Sequence, residues 1–144
     1  MKNIILTANG TQKADLVLKN ASIVNVFTES IEVGDVAITD GKIVGIGRYE
    51  GKIEKDMTGR FVCPGFIDGH IHLESSMVTP SEFARAVIAH GTTAVITDPH
   101  EIANVAGCDG ITYMMQATKD LPLDVFFMVP SCVCLLYTSD AADE

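Results

Sequence analysis

Pro64-Gly65-Phe66-Ile67-Asp68-Gly69-His70-Ile71-His72 is the stretch on which both the fold and the chemistry turn. Phe66 to Leu73 reads as a buried strand opened by Pro-Gly. Side chains two apart in a strand share a face. Asp68, His70 and His72 therefore project together. Paired imidazoles pack poorly against apolar neighbours but are good donors to a divalent metal.

Downstream, the pattern changes to alternating strand and helix. Thr79-Pro80-Ser81-Glu82 reads as a helix start, with Thr79 as N-cap, Pro80 in the first turn and Glu82 completing a capping box. Phe83, Ala86, Val87 and His90 recur at helical spacing, which makes His90 a packing residue, and Gly91 suits the C′ position. Thr92 to Thr97 is a β-branched run and hence a second strand. A second helix is expected over about Asp109 to Thr118, and a third strand over Leu123 to Val129. This βαβαβ series implies parallel strands with right-handed crossovers. Either an open doubly wound sheet or the start of a (β/α)8 barrel accommodates it. The first βα turn lacks G-x-G-x-x-G, so no dinucleotide site is indicated.

Upstream, the texture is β. Asp15 to Leu18 and Ser22 to Phe27 read as short strands around a Lys19-Asn20 turn. Asp35 to Ile38 and Ile43 to Ile46 flank Thr39-Asp40-Gly41-Lys42, a hairpin signal because both central turn positions need positive φ. Residues 14–62 are expected to form a small antiparallel sheet, and residues 1–13 carry little pattern. The implied organisation is a β domain over 1–62, the α/β unit over 63–133, and a separate tail over 134–144. That tail, Cys134 to Glu144, reads as a translated sequencing adapter, with the natural protein continuing differently after Val133.

Bulk properties narrow the function. Hydrophobic residues make up 47% and the mean hydropathy is +0.27, which supports a buried core. No apolar run approaches the roughly 18 residues of a membrane span, and no secretory leader is visible, so a cytoplasmic location is expected. The net charge of −9 disfavours nucleic acid as a partner. Cys63, Cys108, Cys132 and Cys134 follow neither a zinc-ribbon nor a disulfide-framework spacing and read as reduced thiols.

Four further groups are placed with the histidine pair. Asp98-Pro99-His100-Glu101 follows the second strand, which puts His100 and Glu101 at the same end of the sheet as His72. Glu101 is the candidate catalytic residue: it could bridge metals, move protons, bond substrate, or simply be a loop charge or helix cap. Cys132 lines the pocket or packs as a small apolar residue. Glu74, with Ser75 and Ser76, contacts substrate or begins the connection to the next helix. Asp68 either orients a ligand or stabilises a turn.

A β-rich N-terminal stretch ending in Pro64 to His72 resembles the amidohydrolase superfamily. His70-Ile71-His72-Leu73-Glu74-Ser75-Ser76-Met77-Val78-Thr79-Pro80, His90-Gly91-Thr92-Thr93, Asp98 to Val105 and Val129-Pro130-Ser131-Cys132-Val133 are similar to its adenine deaminase family. The resemblance implies a (β/α)8 barrel, of which this chain holds the first three strands, and a small β-sandwich, of which the N-terminal sheet is half. It implies His70 and His72 as ligands of a divalent metal centre, binuclear with Mn2+ or Fe2+ favoured and Zn2+ also compatible. It implies hydrolytic deamination of adenine to hypoxanthine and ammonia, and a homo-oligomer at full length. The remaining ligands and the proton shuttle are expected beyond the third strand, so residues 1–144 alone are expected to be inactive and to aggregate. Other amidohydrolases, dihydroorotase-like or deacetylase-like, are the alternative enzyme reading, and a metal-free assembly subunit of the same fold is the non-enzyme one.

Overall fold

The computed structural model describes residues 1–130. Cys132 and the 134–144 tail lie outside the described residues. The chain divides into two compact units, Met1–Pro64 and a second beginning at Gly65.

The first unit opens with helix α1 (Lys2–Ala8), which the sequence did not suggest. It is too short for its periodicity to register, and it is held by contacts instead. Thr7 is buried and accepts a hydrogen bond from Thr39 Oγ1 at 3.1 Å. Five strands follow: β1 (Ala14–Asn25), β2 (Ser30–Thr39), β3 (Lys42–Gly47), β4 (Gly51–Asp56) and β5 (Phe61–Val62). The β2–β3 hairpin forms as read, with Asp40 at φ 52° and Gly41 at φ 70°.

Two expectations are corrected. Lys19-Asn20 is not a turn between strands. β1 runs straight through it, with Asn20 at φ 58° and the register with β2 shifting between Leu18 and Ala21, which is a bulge. Nor is the sheet purely antiparallel. β1 pairs antiparallel with β2 but parallel with β4 and β5, in the order β3-β2-β1-β4 with β5 also on β1. The parallel pairing is possible because Arg48, Tyr49 and Glu50 carry the chain from β3 to the far side of β1. Tyr49 packs against Ala14, Val17 and Ala37.

Lys19 Nζ donates to Asp35 Oδ2, whose carboxyl also accepts the backbone N–H groups of Asn20 and Tyr49 at 3.1 and 3.2 Å. Burial pushes the Asp35 carboxyl up, but Lys19 and the two N–H donors outweigh it and hold it below the usual carboxylate range. The Asp35 hydrogen bond raises the Lys19 ammonium. A carboxyl lowered on folding contributes stability above its unfolded value and loses it as pH falls through the folded one. The melting temperature of this unit should therefore decline below about pH 4. Asp35→Asn should cost about 1–3 kcal/mol at pH 7 and flatten that acid limb. Thermal melts between pH 3 and 7 check both; an acid limb identical in the two proteins would refute the assignment.

The second unit contains β6 (Phe66–Ile71), a 3₁₀ turn (Glu74–Ser76), α2 (Pro80–Ile88), β7 (Thr92–Thr97), α3 (His100–Thr118) and β8 (Asp124–Phe127). The three strands are parallel in the order β6-β7-β8. Leu73, Phe83, Ala84, Val95, Met114 and Leu123 form its core, joined by Ile71, Val87, Ile88 and Ile102. Gly65 sits where β6 approaches β7 closely; a Cβ there would overlap the Thr93 side chain.

Several local expectations shift. β6 is not buried: Phe66 and Ile67 are 59% and 67% exposed at the edge of this sheet. Thr79 is the N-cap and Pro80 opens α2, but no side-chain cap bond forms, and Glu82 pairs with Arg85 at 3.0 Å instead. The buried face of α2 runs through Phe83, Ala84, Val87 and Ile88, leaving Ala86 and His90 exposed. Ala89 is the C-cap, so Gly91, at φ 94°, lies one position beyond C′. α3 begins at His100, well before Asp109, and is broken at Gly107, where φ is 58° and ψ −145°. Among the described residues no helix is long and apolar enough to cross a membrane.

Candidate metal centre

Because the strands are parallel, the segments following β6 and β7 emerge at one end of the sheet. Backbone bonds lock that end: Asp98 N donates to Ile71 O at 3.0 Å, and Met128 N donates to Thr97 O at 2.8 Å. His72 and Asp98 are thereby brought side by side.

His70 and His72 meet as the period-two reading requires, with their Nε2 atoms 3.3 Å apart and the rings edge to face. They meet despite an irregular register, since the pairing of β6 with β7 shifts between Asp68 and Ile71. His72 Nδ1 lies 2.9 Å from the Asp98 carbonyl oxygen. A carbonyl only accepts, so His72 Nδ1 carries a proton, which leaves Nε2 as the ring nitrogen that can offer a lone pair to a metal. This is the outer hydrogen bond by which proteins fix a metal-binding imidazole.

His100 stacks edge to face on His72 at a centroid distance of 4.5 Å. His72, Asp98 and His100 offer ligand atoms that all lie within 4.8 Å of one another. Asp98 is 6% exposed. Its Oδ2 approaches His100 Nδ1 at 3.3 Å, but without the angle of a hydrogen bond; Asp98 Oδ1 and His100 Nδ1 are both buried without a partner. Buried polar atoms of this kind are costly unless something satisfies them. The imidazoles of His72 and His100 beside the unsatisfied Asp98 carboxylate form a donor set that a divalent cation fits.

Asp98 is the residue that sequence reasoning passed over, although it stood inside the quoted Asp98-Pro99-His100-Glu101 cluster. The available signal was a carboxylate at the last position before a proline on a strand end. Asp68 is exposed, and its Oδ1 accepts the His70 backbone N–H at 3.1 Å, so it braces its own strand. Glu101, also exposed, accepts a hydrogen bond from Ser75 Oγ. Glu74 Oε1 accepts the Ile102 N–H at 3.1 Å. Cys63 and Cys108 are free and exposed, and neither takes part.

The model of the amidohydrolase family matches residues 61–142. An adenine deaminase from Clostridium acetobutylicum is 63% identical over 126 residues, covering 88% of this chain and 22% of that protein. One from Geobacillus kaustophilus is 61% identical over 133 residues, covering 92% of this chain and 23% of that protein. The chain thus spans between a fifth and a quarter of the length of these relatives. Among solved structures, an N-acyl-D-glutamate deacylase from Bordetella bronchiseptica, complexed with zinc and a phosphonate inhibitor, superposes with a TM-score of 0.63 at 20% identity, over 83% of this chain and 30% of that one. A D-aminoacylase mutant in complex with copper chloride gives 0.64 at 18% identity, over 81% of this chain and 30% of that one. At such identities the likeness speaks for the fold alone.

Proposed function

We propose, from the premise that this chain belongs to the amidohydrolase family, that it is the N-terminal part of an adenine deaminase that hydrolyses adenine to hypoxanthine and ammonia. The observation that carries the reading is His72, its Nδ1 tied to the Asp98 carbonyl and its Nε2 facing that of His70. The similarity to adenine deaminases supports the substrate. The three parallel strands are read as the start of a (β/α)8 barrel, whose active sites lie at the C-terminal ends of its strands. The exposure of Phe66 and Ile67 on β6 supports this, since in a closed barrel such a strand has a neighbour on each side.

His70 and His72 would hold a divalent cation, either manganese or iron in a binuclear centre or zinc, with Asp98 and His100 beside it. The bound cation supplies Lewis acidity that makes water nucleophilic near neutral pH. The residues of this chain position the rest. The Asp98 carbonyl keeps His72 in one tautomer. Glu101, at the start of α3 next to His100, is the carboxylate proposed to accept or return a proton or to bond the purine ring.

The test is expression of the full-length parent and assay by the loss of adenine absorbance, with dihydroorotate and N-acetylated sugars as competing substrates. Adenine turnover that a chelator abolishes and a divalent metal restores is the expected result. Turnover of one of the other substrates but not adenine would replace the reading with another amidohydrolase activity.

A further inference from the structure

We infer that Glu74 is a positioning residue: it caps helix α3 from outside the helix and so fixes the turn that carries His100 and Glu101. The first N–H groups of any helix lack acceptors within it. In α3 the N-cap position is Pro99, which has no side-chain acceptor, and the first intrahelical bond runs from Ala103 N to Pro99 O. The Ile102 N–H precedes that bond. It donates to Glu74 Oε1 at 3.1 Å, from a residue 28 positions earlier. A carboxylate at this end also suits the helix dipole.

The anchor of this cap is firm. Glu74 follows Leu73, which is 1% exposed in the core. Ser76 Oγ donates to Leu73 O at 2.6 Å and closes the 3₁₀ turn, and Met77 ends it in the left-handed region at φ 58°. A second tie joins the same two segments one residue along, from Ser75 Oγ to Glu101 Oε2. The loop after β6 therefore holds the start of α3 at two adjacent points. The latch joins the segment that follows His70 and His72 to the helix start that carries His100 and Glu101.

The experiment compares Glu74→Ala, Glu74→Gln and wild type in the full-length protein; its kinetic arm rests on the adenine deaminase reading, and its exchange arm does not. Amide hydrogen exchange at Ile102 should accelerate by at least about tenfold in Glu74→Ala, because among the described residues Glu74 is the acceptor that protects that N–H. It should stay near wild type in Glu74→Gln, which keeps the acceptor oxygen. The kcat for adenine should fall about 10–100-fold in Glu74→Ala and recover in Glu74→Gln, with KM moving less and bound metal unchanged. Unchanged Ile102 exchange in Glu74→Ala overturns the inference, as does Glu74→Gln exchanging as fast as Glu74→Ala. Should Glu74→Ala fail to fold, Glu74→Asp, whose carboxylate is one methylene too short, must show the same local acceleration or the inference falls. A wild-type protein inert toward adenine defeats the proposed function while leaving the exchange result to decide the cap.

Discussion

Replacing His72 with alanine in the full-length protein should lower kcat for adenine by more than about 100-fold, the upper end of what losing a residue that merely orients a metal ligand costs. His72 touches His70, Asp98 and His100 alike. Its Nδ1 is bonded to Asp98 O, its Nε2 faces His70, and its ring face meets His100. Alanine removes a nitrogen proposed to hold the cation and leaves the Asp98 carbonyl without its donor. Bound metal, measured by elemental analysis, should fall with activity. His90→Ala is the matching control. His90 is exposed at the end of α2, and its loss should leave metal content and kcat unchanged. A His72→Ala protein that kept wild-type metal and turnover would remove the basis of the proposed function.

Leu73→Ala should destabilise the second unit by about 3 kcal/mol, within the usual range for emptying a leucine-sized space in a core. Leu73 is 1% exposed and packs in the core with Phe83, Val95 and Met114. Its backbone N–H also faces Thr97 Oγ1 at 3.4 Å. Because Leu73 lies between His72 and Glu74, the same substitution should lower activity along with stability. Leu73→Ile, nearly equal in volume, should cost less than about 1.5 kcal/mol. Urea denaturation followed on the two variants checks the pair. Equal midpoints for the alanine and isoleucine proteins would contradict the packing described.

The parts legible in the sequence were those specified by neighbouring residues. Asp40-Gly41 announced its hairpin because few other residue pairs tolerate positive φ twice in succession. Thr92 to Thr97 announced a strand through β-branching, and His70 and His72 met because strand geometry alone puts them on one side. What escaped depended on partners distant in the chain. α1 is ordered by Thr39 and Tyr49, which lie over 30 positions away. The start of α3 is hidden by Pro99 and by the glycines at 107 and 110, and the group that completes it belongs to Glu74. The parallel pairing of β4 with β1 depends on where Tyr49 finds its packing, which no local pattern encodes. Asp98 escaped because its place beside His72 and His100 is set by the pairing of β6 with β7, and its carbonyl, which receives His72 Nδ1, is a group every residue has.

The break at Gly107 has a bearing on how the site acquires its order. It separates His100 to Ala106 from the longer stretch that sends Met114 into the core. A peptide that brief, well under the ~12 residues needed for a helix to persist unaided in water, is a borrower of order. It settles only once the loop beneath it has settled. Loop and helix turn should therefore freeze and melt as one small cooperative block, and a perturbation on either side of it will be felt at both.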